Sequence, residues 1–332
     1  MKKLLNDPAS YVDEALDGLT LAFPSLVRRG PTGRVVARAA GMTKGRVGIA
    51  TGGGFGHLPL FAGYVGRGFA DSCSVGNVFE GPNVDNCLDA MRLADGGRGV
   101  LRLYGNYGGD RMNFDMAGEM LEDEGIRSTT VLGTDDIACG EPGSEDRRRG
   151  VAGLIYAYKI AGAAADEGRD LDAVTQIAAR AVAATRTIGI GLSPCWLPQS
   201  QTPGFEIGEG EIEMGIGIHG EPGIWRDAMR PADQIADEMT DRLLADFPAP
   251  ASGEMSVLVN GLGATPLEEL LILFRRVRQR LDDEGITIVS PLVGNYVTSM
   301  EMQGASVSFL HLDDELKALL AAPADCPFWR VG

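Results

Sequence analysis

The sequence predicts an α/β protein of two domains, each a β-sheet covered by helices, the first sheet mainly parallel. Three observations carry that expectation. Residues 1–185 alternate short apolar runs, glycine-rich turns and amphipathic stretches, as strands joined by crossover helices do. After 186 the pattern changes to a β-rich, glycine-rich stretch followed by widely spaced strands and helices. A chain of 332 residues is also long for one core and comfortable for two. The domains are therefore expected over 1–185 and 186–332.

Taken in order, residues 10–23 read as an amphipathic helix, with Val12, Ala15, Leu16, Leu19 and Ala22 at helical spacing. Residues 47–50 form a short apolar strand that runs into Thr51-Gly52-Gly53-Gly54-Phe55-Gly56-His57, and 58–65 is expected to open a helix. Residues 100–104 are a second strand running into Gly105-Asn106-Tyr107-Gly108-Gly109-Asp110, followed by a helix over 114–124 with Gly125 as its stop. Then come a strand over 126–132, a charged loop over 134–149, and Ala-rich helices over 151–167 and 171–185. In the second half, strands are expected over 187–192, 256–262, 286–290 and 305–312, and helices over 232–245, 266–284 and 313–320. Surface loops are expected over 193–204 and 248–253.

Composition excludes several function classes. The formal charge is -16, which repels nucleic acid and anionic membrane. No run of about 18 apolar residues exists to cross a bilayer, and Asn6-Asp7-Pro8 interrupts the start before any signal-peptide core. The 5 cysteines are scattered and include no C-x-x-C, as in a reduced cytoplasmic protein with neither disulfide framework nor zinc site. A glycine-rich turn after a strand raises nucleotide binding, but G-x-G-x-x-G fails from Gly52, where His57 stands, and from Gly54, where Pro59 stands. No Walker A sequence occurs, so no nucleotide cofactor is expected on this chain.

The chain has 3 histidines. The stretch Met214-Gly215-Ile216-Gly217-Ile218-His219 is expected to be a strand ended by Gly220-Glu221-Pro222, with Gly215, Gly217 and His219 on one face. Two glycines beside one imidazole suggest a cleared seat for a ligand; the plainer alternative is a buried histidine bonded to a carbonyl. His57, Asp110 and His219 each end a glycine-rich turn. A shared site would need them at adjacent strand ends. Neutral imidazole is a nucleophile able to add to a ketone, and a carboxylate can take a proton from an alcohol. Asp110 as a plain turn residue and His57 as a polar cap stay open at this level. His311, late in a strand, reads as structural or surface. Two histidines and one aspartate, with glycines around them, supply too few ligands for a metal, and none is expected.

The segments "GIATGGGFGH", "GGRGVLRLYGNYGGDRMNF", "RRGVAGLIYAYKIAGAAADEG", "EIEMGIGIHGEPGI", "VNGLGATPLEEL" and "TSMEMQGASVSFLHLDDE" resemble the substrate-binding subunit of the dihydroxyacetone kinase family, nearly end to end. The resemblance implies a covalent hemiaminal between His219 and the ketone of a short-chain ketose. It implies that His57 and Asp110 hold and activate the terminal hydroxyls, with Gly53, Gly54, Phe55, Gly56 and Gly105 around the substrate. It also implies a helical partner subunit that carries the nucleotide (ATP or ADP with Mg), a homodimer, and no cofactor held by this chain. Whether phosphate comes from ATP or from a phosphoenolpyruvate relay resides in the partner.

The chain departs from the family pattern GGGSGHEP and KNYTGD: Phe55 replaces Ser, Leu58 replaces Glu, and Gly105 replaces Lys. Loss of a lysine removes a donor and opens volume, which points to a four-carbon ketose such as erythrulose beside dihydroxyacetone. A non-catalytic ketose sensor is the alternative. Asp110, the expected base, is retained and disfavours it.

Overall fold

The structure, a computed structural model, describes residues 2–140, 143–200, 202–248 and 252–332. The expected surface loop over 248–253 falls partly on 249–251, outside the described residues, and the charged loop over 134–149 includes 141 and 142, also outside them. The chain divides into two compact units. The first comprises Met1–Gly133, Leu154–Val182 and Ala318–Gly332, and the second Thr134–Gly153 and Ala183–Lys317. The chain thus crosses between units near the expected boundary at 186, and at three further places.

The first unit begins with α1 (Tyr11–Ala22), which buries Val12, Leu16 and Leu19 and carries Asp13 and Glu14 in its first turn, where the helix dipole favours acid. Next come β1 (Val27–Arg29), β2 (Val35–Arg38), β3 (Arg46–Phe55), β4 (Ser72–Val78), α2 (Val84–Ala94), β5 (Gly97–Gly105), α3 (Gly108–Asp123), β6 (Ser128–Gly133), α4 (Leu154–Asp166) and α5 (Leu171–Ala183). The sheet order is β1-β2-β4-β3-β5-β6. The last three pairs are parallel and the first two antiparallel, so the sheet is mainly parallel as expected. Every residue of β3 is buried, as befits a central strand covered on both faces. One core cluster joins Ala50 of β3, Leu88 and Met91 of α2, Val100 and Tyr104 of β5, and Phe114 and Leu121 of α3.

Two local expectations give way here. The glycines at 52–54 lie inside β3, which runs to Phe55, because a Cβ at Gly52 would fall 2.2 Å from the Ser74 hydroxyl of the paired β4. They permit close packing within the sheet layer rather than a turn. Residues 58–65 are also no α-helix: a cis Leu58–Pro59 bond and a short 3₁₀ turn at Ala62–Tyr64 stand there. The C-terminal hairpin of this unit, Ala324–Cys326 with Trp329–Val331, brings the Trp329 ring to 5.3 Å from Phe69 and 6.4 Å from Tyr64.

The second unit holds β7 (Thr185–Gly191), β8 (Glu211–Met214), β9 (Trp225–Ala228), α6 (Ala232–Ala245), β10 (Glu254–Gly261), α7 (Leu267–Asp283), β11 (Thr287–Ile288), β12 (Leu292–Gly294) and β13 (Gly304–Leu312). Its sheet runs β11-β10-β13-β7-β8-β9, with β12 also on β10. It is antiparallel except where β11 and β12 join β10. Helices α6 and α7 cover a core of Ile188, Ile190, Met239, Val257, Val277 and Phe309, among others. No helix among the described residues is long and apolar enough to cross a membrane.

The expected strand over the His219 stretch ends early. It stops at Met214, because Gly215 has φ +82°, a left-handed backbone that no strand continues through. Residues 215–220 are loop and turn, so the alternating face expected for Gly215, Gly217 and His219 does not exist.

Candidate functional site

In the first unit, β3 and β5 are parallel neighbours, with Ile49 opposite Leu101 and Ala50 opposite Arg102. From β3 the chain continues to β4 on one side, then returns to β5 on the other. The β3/β5 seam is therefore a topological switch point, where ligands of open α/β sheets sit beyond the carboxyl ends of the strands. His57 follows the end of β3. Asp110 follows the end of β5, in the first turn of α3, where the helix dipole favours a carboxylate. These two expected residues thus stand at adjacent strand ends.

The surroundings of His57 are aromatic. The residue is 1% exposed, and its ring stacks on Phe79 with centroids 4.9 Å apart and planes at 20° and meets the edge of Phe61 at 6.4 Å. Phe61 and Phe79 both have left-handed backbones, with φ 66° and 61°. Such a conformation costs a non-glycine residue roughly 1–2 kcal/mol, so both walls of the imidazole are held at a local energetic cost. Gly53 explains how Phe61 gets there: a Cβ at 53 would lie 2.3 Å from that ring. Gly54 likewise makes room for the Phe79-Glu80 backbone. A small recess beside His57 is lined by Gly53, Gly54, Phe55, Gly56, Phe61 and Val75. Phe55 is buried and packs edge-on against Tyr11 at 6.0 Å. Gly56 needs its φ of +104° to turn the chain into His57. Asp110 is 9% exposed, with its carboxylate against Gly81, where a Cβ would come within 3.0 Å of Oδ1. Gly105 ends β5 opposite Gly133, and its carbonyl accepts from the Tyr107 N–H at 2.9 Å.

In the second unit His219 sits in an ionic setting. Glu221 Oε1 lies 2.9 Å from its Nδ1, and Glu221 Oε2 accepts from its backbone N–H at 2.9 Å. Burial pushes the Glu221 carboxyl up, but the hydrogen bond and charge of His219 and the Arg149 charge outweigh it and hold the group down to about 2. An ionised carboxylate only accepts, so in this contact the Nδ1–H is the donor. The loop is pinned at both ends. The Gly223 N–H donates to buried Glu213 at 2.7 Å, the Gly215 N–H donates to the Gly189 carbonyl at 2.6 Å, and the Ser299 hydroxyl donates to the Ile218 carbonyl. The space cleared by Gly217 is already filled: a Cβ there would lie 2.1 Å from Glu221 Oε2 and 2.5 Å from Arg149 Nη1. That glycine admits an ion pair, which corrects the expectation of an empty seat.

Glu221, Arg149, Phe61 and Phe79 were not among the expected site residues. Glu221 left a signal, since a carboxylate two positions after a histidine can reach its Nδ1. Arg149 left none, being 70 positions distant (219 − 149 = 70). His311 hydrogen-bonds the Ser252 carbonyl through Nε2 at 2.9 Å, which fits a structural role. No group of three or more metal-ligating side chains occurs among the described residues.

Comparison with known proteins gives the family and the fold. The Dak1 domain matches residues 17–328. The PTS-dependent dihydroxyacetone kinase 2, dihydroxyacetone-binding subunit, of Listeria innocua is 46% identical over the full length of both chains. The D-erythrulose kinase of Mycolicibacterium smegmatis is 43% identical, and this chain spans 57% of its length. Among solved structures, the dihydroxyacetone kinase of C. freundii in complex with AMP-PNP and Mg²⁺ superposes with a TM-score of 0.90 at 30% identity, covering 99% of this chain and 61% of that one. The dihydroxyacetone kinase operon co-activator DhaQ superposes with a TM-score of 0.89 at 33% identity, covering 96% of this chain and 98% of that one. With matched segments that run nearly from end to end, this chain belongs to the Dak1 family of dihydroxyacetone kinases.

Proposed function

We propose that this chain is the ketose-binding subunit of a dihydroxyacetone-kinase-type phosphotransferase. The observation that carries the reading is His219, whose Nδ1–H is engaged by ionised Glu221, which leaves Nε2 as the ring nitrogen for the nucleophilic role. In the proposed step the Nε2 lone pair forms a C–N bond to the ketone carbon, and the carbonyl π pair moves to oxygen. The proton that leaves the ring nitrogen is balanced by the proton that oxygen gains, leaving a neutral hemiaminal. Ionised Glu221 stabilises the imidazolium that develops on the way. His57 and Asp110 handle the terminal hydroxyl, Asp110 as the base toward an incoming phosphoryl group. Gly53, Gly54, Phe55, Gly56 and Gly105 shape the substrate's surroundings.

A covalent anchor that needs a carbonyl selects ketoses over glycerol. Gly105, where the family pattern carries lysine, leaves room for a fourth carbon, and the likeness to an erythrulose kinase supports C4 ketoses as substrates beside dihydroxyacetone. The nucleotide, ATP or ADP with Mg, sits on a helical partner subunit, and the ketose-binding subunit works as a homodimer. The 5 free cysteines suit the cytoplasm.

The test pairs two measurements. Crystals soaked with dihydroxyacetone or erythrulose should show continuous density from His219 Nε2 to the ketone carbon, and glycerol should give none. With its nucleotide-binding subunit added, the protein should phosphorylate these ketoses. Absence of an adduct with every ketose sinks the covalent anchor. An adduct without turnover would instead favour a ketose sensor, the reading supported by the likeness to the co-activator.

A further inference from the structure

Behind His219 stands a line of alternating charge inside the second unit. Arg149 Nη1 lies 3.7 Å from Glu221 Oε2, and Arg149 Nη2 lies 2.7 Å from Asp136 Oδ2, with Nε donating to the same oxygen at 2.9 Å. Asp136 is fixed in turn: its side chain accepts from the Ala138 N–H at 3.0 Å, and its own N–H donates to the Arg149 carbonyl at 3.1 Å. The Asp136 and Arg149 side chains are 4% and 12% exposed. Two charged groups are thus buried with no evident need of the core, and Gly217 leaves the space in which Arg149 meets Glu221. Burying an ion pair rarely adds net stability, so its retention invites a functional account.

We propose that Arg149 and Asp136 are positioning residues that act through Glu221 to keep His219 neutral, with its proton on Nδ1. This rests on His219 being the ketone anchor. The physics runs through the charges facing the imidazole. Glu221 alone would favour the imidazolium and so consume the Nε2 lone pair. Arg149 shares the Glu221 charge and opposes a positive charge on His219. Asp136 moderates Arg149, so the pull on Glu221 is partial. Asp135 adds a second buried carboxylate next to Asp136. Burial before all else pushes the Asp136 carboxyl up to about 6, against the charge of Arg149.

The experiment uses the full-length protein labelled with ¹⁵N-histidine, which has only 3 imidazoles to assign. It compares wild type with Arg149→Met, Arg149→Lys and the Asp136→Asn/Arg149→Met double variant. The last removes the buried Asp136 charge together with its Arg149 partner, and so keeps the test usable if the first single variant folds poorly. In wild type the His219 resonances should report Nδ1–H. In Arg149→Met and in the double variant the His219 titration should move up by about one pH unit. Ketose affinity should then fall about tenfold at the acid end of the profile and recover fully at the alkaline end. Arg149→Lys, which keeps the charge, should restore most of the wild-type profile. An unshifted titration, or an equal loss of affinity at every pH, overturns the proposal. The titration is read without ketose. If wild type forms no adduct while the titration still shifts, the ketone-anchor reading has failed and the electrostatic one has not.

Discussion

The two histidines are held by opposite means. His57 is fixed by two phenylalanine faces in a nearly closed apolar setting, each face on a left-handed backbone. His219 is fixed by the Glu221 carboxylate, itself beside the Arg149 guanidinium, in a loop clamped through its backbone. An imidazole among aromatic rings gains little stabilisation of its charged form, which suits a group that passes a proton on. One hydrogen-bonded to an ionised carboxylate has a defined tautomer and a supported cation, which suits a nucleophile. Glycine serves both settings in the same way, by letting a neighbouring side chain come close: Gly53 admits Phe61, and Gly217 admits Glu221 and Arg149.

The comparison breaks most sharply at His219. His219→Ala should abolish the ketose adduct in soaked crystals and lower phosphorylation by about a thousandfold or more, whereas His57→Ala should spare the adduct and cut turnover. An adduct seen in His219→Ala would assign the anchor elsewhere. Gly217→Ala comes next. Its Cβ would lie 2.1 Å from Glu221 Oε2, so the carboxylate that faces Nδ1 must shift. Ketose affinity should fall ten- to a hundredfold by calorimetry; an unchanged affinity would show that Glu221 contributes nothing to binding. Phe61→Leu sharpens the other side. It removes a ring beside His57, and should lower turnover about tenfold with adduct formation intact, as a kcat loss without a change in ketose Kd.

The smallest effect is on stability. The Glu221 carboxyl is held down from 4.5 to about 2, so it stabilises the fold above about pH 4.5, and this contribution is lost as pH falls through about 2. Partial exposure screens it to about 1–2 kcal/mol. Glu221→Gln should therefore be less stable than wild type in denaturant at pH 6, with the gap closing toward pH 2. A gap that stays constant between those pH values would contradict the ion pair.

Much of this was readable from the residues. The alternation of strand, turn and helix marks a parallel sheet, and it places His57 and Asp110 after β3 and β5. That these strands are neighbours across a switch point is a matter of pairing over long sequence separation, which periodicity does not report. The His219 stretch shows the limit from the other side. Its apolar alternation at Met214, Ile216 and Ile218 imitates a strand, and all three side chains are indeed buried, yet one left-handed dihedral at Gly215 replaces the strand by a loop. The partnership of Arg149 with Glu221 joins a residue before the Ala-rich helices to one well after them. The left-handed Phe61 and Phe79 sit where phenylalanine is a poor fit, so residue type gave no hint of their conformation.

The hairpin of residues 324–331 carries a consequence for synthesis. Asp325 donates its N–H to the Arg67 carbonyl at 2.8 Å, and Trp329 completes the aromatic group of Tyr64 and Phe69, which begins three positions after Phe61 (64 − 61 = 3). A nascent chain cannot finish this part of its first unit until residues 324–331 have emerged. A chain released before residue 324 would leave Tyr64 and Phe69 without the Trp329 ring, as exposed aromatic surface for chaperones to meet.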